Sequence, residues 1–228
     1  GEQKAVAEDI AAKGEASPAY AKAKAAMDAG TKWSIKLTDG KTLTYRIIGI
    51  NHDDLADGSG KAGLTFLTTS GNFRTRMNAT DTNVGGWEKS ELRQKLNSGE
   101  IWSLLPTDFQ SKVKAVTKLT NNVDGSVANK DAAVTTTTDK LFLLSQSEII
   151  DKPYWAYKYS WLAKEGSQYE AFEGKNHSEN SSVYYWERSV APYDSVTAFG
   201  VVVAGEAQGY ARGASISTDY NACPAWCF

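Results

Sequence analysis

Residues 31–50 read Thr-Lys-Trp-Ser-Ile-Lys-Leu-Thr-Asp-Gly-Lys-Thr-Leu-Thr-Tyr-Arg-Ile-Ile-Gly-Ile. Trp33, Ile35 and Leu37 alternate with Lys32, Ser34 and Lys36 before Asp39-Gly40; Leu43, Tyr45 and Ile47 alternate with Thr42, Thr44 and Arg46 after it. Alternation of period two gives a strand one apolar face. An Asp-Gly pair tolerates the positive φ of a tight turn. The stretch therefore predicts an antiparallel hairpin, with Ile48 and Ile50 extending its second strand. Gly63–Thr69 (Gly-Leu-Thr-Phe-Leu-Thr-Thr) predicts a further strand.

Upstream, residues 1–30 are rich in Ala, Lys and Glu. Ser17-Pro18 supplies a hydroxyl cap and a proline at the first helical position, Ala19–Ala29 are strong helix formers, and Gly30 ends the run. Its apolar content is mostly alanine, so this helical extension is expected at the periphery. Downstream the period changes. Trp87, Leu92 and Leu96 fit one face of a short helix after Gly85-Gly86. Ile101, Leu104 and Leu105 fit a second, stopped by Pro106, and Asp108–Val113 a third. Val113, Val116 and Leu119 lead into a strand. Residues 121–139 are polar and read as a long loop. Leu141–Leu144 reads as a short buried strand, with Ser145 capping a turn through Ile150. Short strands are expected at Val183–Ser189, Ala198–Val203, Gly209–Ala214 and Tyr220–Phe228. The pattern as a whole is one α+β domain over 31–228, preceded by the extension over 1–30.

Apolar residues form 41% and charged residues 23% of the 228 residues, which places the chain among globular proteins able to build a core. A formal net charge of −2 removes the basic footprint of a nucleic-acid binder. No apolar run reaches the roughly 18 residues of a membrane span. Gly1 opens a polar stretch without a charged-then-apolar start, and the two cysteines do not fix the redox compartment. Cys223 and Cys227 would lie roughly 13 Å apart on an extended strand, out of disulfide range unless the chain turns there.

Three patterns mimic known sites. Gly58–Gly63 matches G-x-G-x-x-G and contains Gly-Ser-Gly-Lys, but a phosphate loop needs a helix after the glycines, and here a strand follows. It reads as a hairpin loop. His177-Ser178-Glu179 with Cys223 and Cys227 echoes a zinc deaminase, but the cysteines stand one residue too far apart. Asp53, Asp54 and Asp57 offer oxygens to Ca2+ without EF-hand spacing; calcium is the one metal left open, and no cofactor is otherwise expected.

Read in order, longer motifs resemble a known family. They are Ile48-Gly-Ile-Asn-His-Asp53, Gly63-Leu-Thr-Phe66, Met77-Asn78, Thr82-Asn-Val-Gly-Gly-Trp-Glu-Lys-Ser-Glu-Leu-Arg93, Leu96-Asn97 and Leu105-Pro106. Val116-Thr-Lys118, Thr138-Asp-Lys-Leu-Phe-Leu-Leu-Ser-Gln-Ser-Glu148, Tyr185-Trp-Glu-Arg-Ser189 and Pro224-Ala-Trp-Cys-Phe228 complete the string. Over about residues 31–228 the chain resembles an uncharacterised domain family of surface proteins from gut bacteria and their phages. The tail resembles a C-type-lectin-like fold, in the branch shared with formylglycine-generating enzymes and with the variable proteins of diversity-generating retroelements. Two departures are visible: Glu187 stands where the family reads leucine, and Asn221-Ala222-Cys223 replace Gly-Val-Arg before Pro224.

The resemblance implies short helices, small antiparallel sheets and long loops. It also implies a non-catalytic domain, displayed on a cell surface or phage particle, whose variable C-terminal face recognises a protein or glycan. A formylglycine-generating-like oxidase built on the two cysteines, and a structural domain without a ligand, are the alternatives. Candidate ligand-binding residues are Tyr185, Glu187, Tyr193, Asp194, Glu206, Gln208, Tyr210, Arg212, Ser215, Ser217, Asp219 and Asn221. Tyrosines give stiff, amphipathic contact area at low entropy cost. Alternation across 215–221 would put Ser215, Ser217, Asp219 and Asn221 on one face of a strand. Trp186, Phe199, Trp226 and Phe228 read as core, Arg188 as a structural ion-pair partner, and about half of the aromatics at 154–161 as core packing.

Overall fold

A computed structural model of the chain describes residues 2–123, 128–175, 177–178, 180–193 and 195–228. Two helices open it, α1 (Glu2–Lys13) and α2 (Tyr20–Asp28). Ser17 sits between them as the sequence predicts: its Oγ accepts the Ala19 N–H at 3.1 Å and donates to Asp9. Gly30, at φ +64°, turns the chain out of α2.

The expected peripheral extension is corrected. Ala7, Ile10, Ala23 and Met27 are buried in the main core. The α1 backbone passes so close to Gly63 that a Cβ there would overlap the Ala7 carbonyl. Small side chains made the helices look weakly apolar, and the same small side chains allow the close approach.

The hairpin forms as read. β1 (Lys32–Lys36) and β2 (Thr42–Ile50) pair antiparallel, with Trp33 opposite Tyr45 and Ile35 opposite Leu43. β3 (Leu64–Thr68) follows and is buried throughout. A register shift in β2 between Ile47 and Gly49 bends the strand where Tyr169 packs directly on Gly49. The loop before β3 carries Gly58 (φ +76°) and Gly60 (φ +136°) and leads into a strand, which fits a hairpin loop.

Short helices come next: α3 (Glu91–Asn97), capped by Ser90, a 3-10 turn at Trp102–Leu104, and α4 (Thr107–Gln110) after Pro106. β4 (Val116–Asn121) then pairs with β5 (Val134–Asp139). This corrects the long loop expected over 121–139. The Thr135–Thr138 run is β-branched and suits a strand, but one face is solvated, so no apolar pattern marks it. Leu141–Leu144 is buried without forming a strand; Phe142 and Ala225 exchange backbone hydrogen bonds of 2.7 and 3.1 Å. α5 (Gln146–Ile149) follows, its Glu148 carboxylate accepting the Ser145 N–H at 2.9 Å.

β6 (Tyr185–Val190), β7 (Ala198–Val202) and β8 (Ala211–Gly213) form a three-stranded antiparallel sheet. β9 (Ala225–Cys227) returns to pair with β3, closing a sheet of order β1-β2-β3-β9. Residues 215–219 lie outside any strand, in turn, bend and irregular backbone, so the one-face argument for Ser215, Ser217, Asp219 and Asn221 does not hold.

The C-terminus is the centre of the core. The Trp226 ring lies 5.1 Å from Tyr45, 5.3 Å from Phe109 and 5.9 Å from Phe66. Trp186, Phe199 and Phe228 are buried as expected, and Cys223 and Cys227 are buried free thiols. The architecture is α+β, with short helices and small antiparallel sheets. Among the described residues, no helix is long and apolar enough to cross a membrane.

Candidate functional site

Pro153 precedes a 3-10 turn over Tyr154–Tyr157, and a second covers Ser160–Ala163. In a 3-10 turn residues i and i+3 eclipse. Tyr154 and Tyr157 therefore share one side, and that side faces solvent: they are 65% and 73% exposed. Trp155 lies half-buried between them, and Tyr159 and Trp161 enter the core.

Tyr193 joins this turn from the β6–β7 connection. Its ring stands 5.0 Å from Trp155, edge to face, and 6.2 Å from Tyr159. Trp155 and Tyr157 lie 6.0 Å apart with planes only 22° off parallel, and Tyr154 meets Trp155 at 5.3 Å. Tyr193 takes φ +72°, a left-handed conformation unusual for a bulky residue and one that clusters at functional positions. On the adjacent turn the Gln208 side-chain carbonyl accepts the Tyr154 N–H at 3.0 Å. The result is an exposed aromatic platform with an amide at its edge.

A buried charge network anchors the platform. Lys118 on β4 donates to Asp53 at 2.6 Å and also pairs with Glu148, which in turn pairs with Arg188 on β6. All four are nearly or fully inaccessible. Burial disfavours each charge, but the partners prevail: Lys118 holds the Asp53 carboxyl well below the usual range, and Arg188 and Lys118 lower Glu148. Tyr169 donates to Asp53 at 2.8 Å. His52 stacks on Tyr169 at 4.1 Å and meets Glu170 at 2.9 Å; burial opposes its charge, but those carboxylates outweigh it and raise its pKa.

From this network, bonds run outward to the surface turns. The Ser189 hydroxyl links Gln146 N–H to Glu165, and the Gln146 side chain donates to the Ala207 carbonyl at 3.1 Å, beside Gln208. Trp161 donates to Asn129 at 2.8 Å, and Asn129 to Ala191, two residues before Tyr193.

The residues expected to bind ligand occupy several settings. Tyr193 and Gln208 belong to the platform. Glu206 is exposed on the turn that bridges to Val203, and Tyr210 is exposed before β8. Arg212 is half-buried, its guanidinium 5.5 Å above the Tyr220 ring. Ser215 binds the Asp81 carboxylate through its N–H (3.0 Å) and hydroxyl (2.7 Å), and those bonds lower the Asp81 pKa. Ser217 lines a cavity of about 590 Å³ with Arg74 and Arg76; Asp219 is exposed. Asp194 lies outside the described residues.

Three expectations are corrected. Tyr185 and Glu187 sit on β6 and are buried, and Asn221 is buried with its N–H and side-chain amide both donating to the Tyr184 carbonyl. A surface ligand does not reach them. β6 is covered on both faces, so its polar residues do not alternate outward. Conversely, the candidate set omits Tyr154, Trp155 and Tyr157. The signal was there: Pro153 before a dense aromatic run marks a turn, not a strand.

The mimicked sites resolve as well. Asp53 is consumed by Lys118, Asp54 pairs with Lys61 at 2.6 Å, and Asp57 accepts the Ser59 hydroxyl at 2.6 Å. Those partners compete directly with calcium for the carboxylates. Among the described residues, no group of three or more His, Cys, Asp or Glu is placed to hold a metal ion. Glu179 of the deaminase-like triplet lies outside them.

Comparison with known proteins finds one family model, described as a domain of unknown function (DUF6273), matching residues 62–227. No match to a curated protein or to a solved structure was found.

Proposed function

The chain belongs to the DUF6273 family of domains of unknown function, and we propose that it is a non-catalytic recognition domain binding a glycan through the Tyr154–Trp155–Tyr157–Tyr193 platform. One observation carries this reading: four aromatic rings lie exposed or half-exposed around a near-parallel Trp155–Tyr157 pair, with the Gln208 amide at the rim. A sugar ring has an apolar C–H face and polar edges. Flat rings with phenol hydroxyls and an amide complement both.

A C-type-lectin-like scaffold displayed on a bacterial surface or phage particle accords with small sheets carrying long, irregular connections. On that reading the variable face consists of the reachable members of the tail: Tyr193, Glu206, Gln208, Tyr210, Arg212, Ser215, Ser217 and Asp219. Burial pushes the Cys223 and Cys227 thiols well up, which favours packing over the thiolate chemistry of an oxidase.

The test is a glycan array probed with the full chain and with Tyr154→Ala/Tyr157→Ala. Both side chains are largely exposed, so the double variant is expected to keep its melting temperature within a few degrees. Array signal should drop at least tenfold. An array blank for the parent chain, or a signal untouched by the double variant, would sink the reading; a protein ligand lost on the same substitutions would keep the platform and replace the glycan.

A further inference from the structure

α1 and α2 do not close completely over β1 and β2. They leave a groove of about 670 Å³, within the range of small-molecule sites. Its walls are apolar: Val6 from α1, Ala26 from α2, Trp33 and Ile35 from β1, and Phe109 from α4. Trp33, Ile35, Val6 and Ala26 are only half-buried, although they pack on the core. The hairpin and the helices each bring apolar side chains here that nothing fully covers.

The rim has a definite sign. Lys4, Lys22, Lys36 and Lys112 line it against two carboxylates, Glu2 and Asp108. Lys4 is engaged with Glu8 at 3.5 Å. Lys22, Lys36 and Lys112 have no ion pair among the described residues. This surplus of positive charge stands on a protein whose net charge is −2, so the rim has the sign opposite to that of the whole molecule. An apolar trough bordered by unpaired ammonium groups complements one chemistry: a hydrocarbon chain ending in an anion.

We propose that this groove binds a long-chain carboxylate, with its hydrocarbon against Val6, Ala26, Trp33 and Ile35 and its head group at Lys22, Lys36 and Lys112. The site is separate from the aromatic platform and does not depend on its function.

Isothermal titration of the full chain with dodecanoate, below its micelle-forming concentration, tests the proposal. Saturable binding of one dodecanoate per chain is expected, with decanoate about tenfold weaker for the two methylenes lost. Dodecanol, which lacks the charge, should bind at least tenfold more weakly. Lys22→Glu/Lys36→Glu reverses two exposed rim charges and should weaken dodecanoate at least tenfold while leaving dodecanol unchanged. Ala26→Trp fills the trough and should abolish binding of both; if that variant fails to fold by circular dichroism, the lysine pair decides alone. Absence of saturable binding, equal affinity for dodecanol and dodecanoate, or indifference to the lysine reversals overturns the proposal. So does a dimer in sedimentation equilibrium that Ile35→Asp converts to monomer, because a second copy would then be the occupant.

Discussion

Arg188 carries its charge in the core because acceptors surround it on every side. Its guanidinium donates to Thr120, Leu119, Leu143, Glu148 and Glu165. Glu187, next along β6, has no such provision: neither carboxylate oxygen has a hydrogen-bond partner among the described residues. Burial and the nearby Glu165 push its pKa well above the ordinary value, which favours the neutral acid. Replacing an unpartnered buried acid by a hydrocarbon of similar length removes a desolvation cost. Glu187→Leu is therefore expected to stabilise the fold by about 1–3 kcal/mol in chemical denaturation; a net loss would reveal a partner for the carboxyl. Glu165 gives a second residue-level test. Burial pushes its pKa up from 4.5 to about 7, although the Asn121 N–H and Ser189 hydroxyl pull the other way. Between those two pH values the native state holds a proton that the unfolded chain has released. Stability is thus full at the acid end of that window and falls as pH rises to about 7, by about 3 kcal/mol from this group. Glu165→Gln should flatten that part of the stability–pH curve, and an unchanged curve would refute the assignment. Asp53 acts oppositely: its depressed pKa contributes stability that is lost only as pH falls below the ordinary carboxylate range.

At the scale of elements, caps were the most legible signals and solvated strands the least. Ser90 accepts the Arg93 N–H at 3.1 Å and donates to the Trp87 carbonyl at 2.9 Å, fixing the start of α3 so that Leu92 and Leu96 face inward. Ser90→Ala is expected to cost about 1 kcal/mol, read as a lower denaturation midpoint at unchanged slope; a value near zero would mean the turn at Trp87 sets the helix without it. The Glu148 acceptor of the Ser145 N–H has two further duties, to Lys118 and Arg188. Sequence reading finds the cap at Ser145 and the structural role of Arg188 but not the partners, which lie 30 and 40 residues from Glu148. It reads β5 as loop because its threonines carry no apolar stripe. It also assigns about half of the aromatics at 154–161 to the core without distinguishing them, whereas 3-10 turns decide which rings emerge.

Considered as a whole molecule, the chain is closed by its two ends. The C-terminal β9 pairs with β3 at the edge of the four-stranded sheet, and the N-terminal α1 lies against the strand entry at Gly63. Gly63→Ala would drive a methyl group into the α1 backbone. It is expected to cost about 1–3 kcal/mol and to make residues 2–13 the first site of limited proteolysis; cleavage elsewhere first would show that α1 yields without detaching.

Local sequence determined what depends on neighbours a few residues apart: the hairpin at Asp39-Gly40, the caps at Ser17 and Ser145, and an aromatic tail that builds the core. Periodicity, turn chemistry and caps act over such distances, so they survive in the string of letters. Tertiary structure alone decided which polar side chains are spent inside and which remain outside. It buries Tyr185, Glu187 and Asn221, pairs Asp53 with Lys118 across 65 residues, and brings Tyr193 to Trp155. Exposure is a property of what packs on a residue from elsewhere in the chain, and no local pattern encodes that.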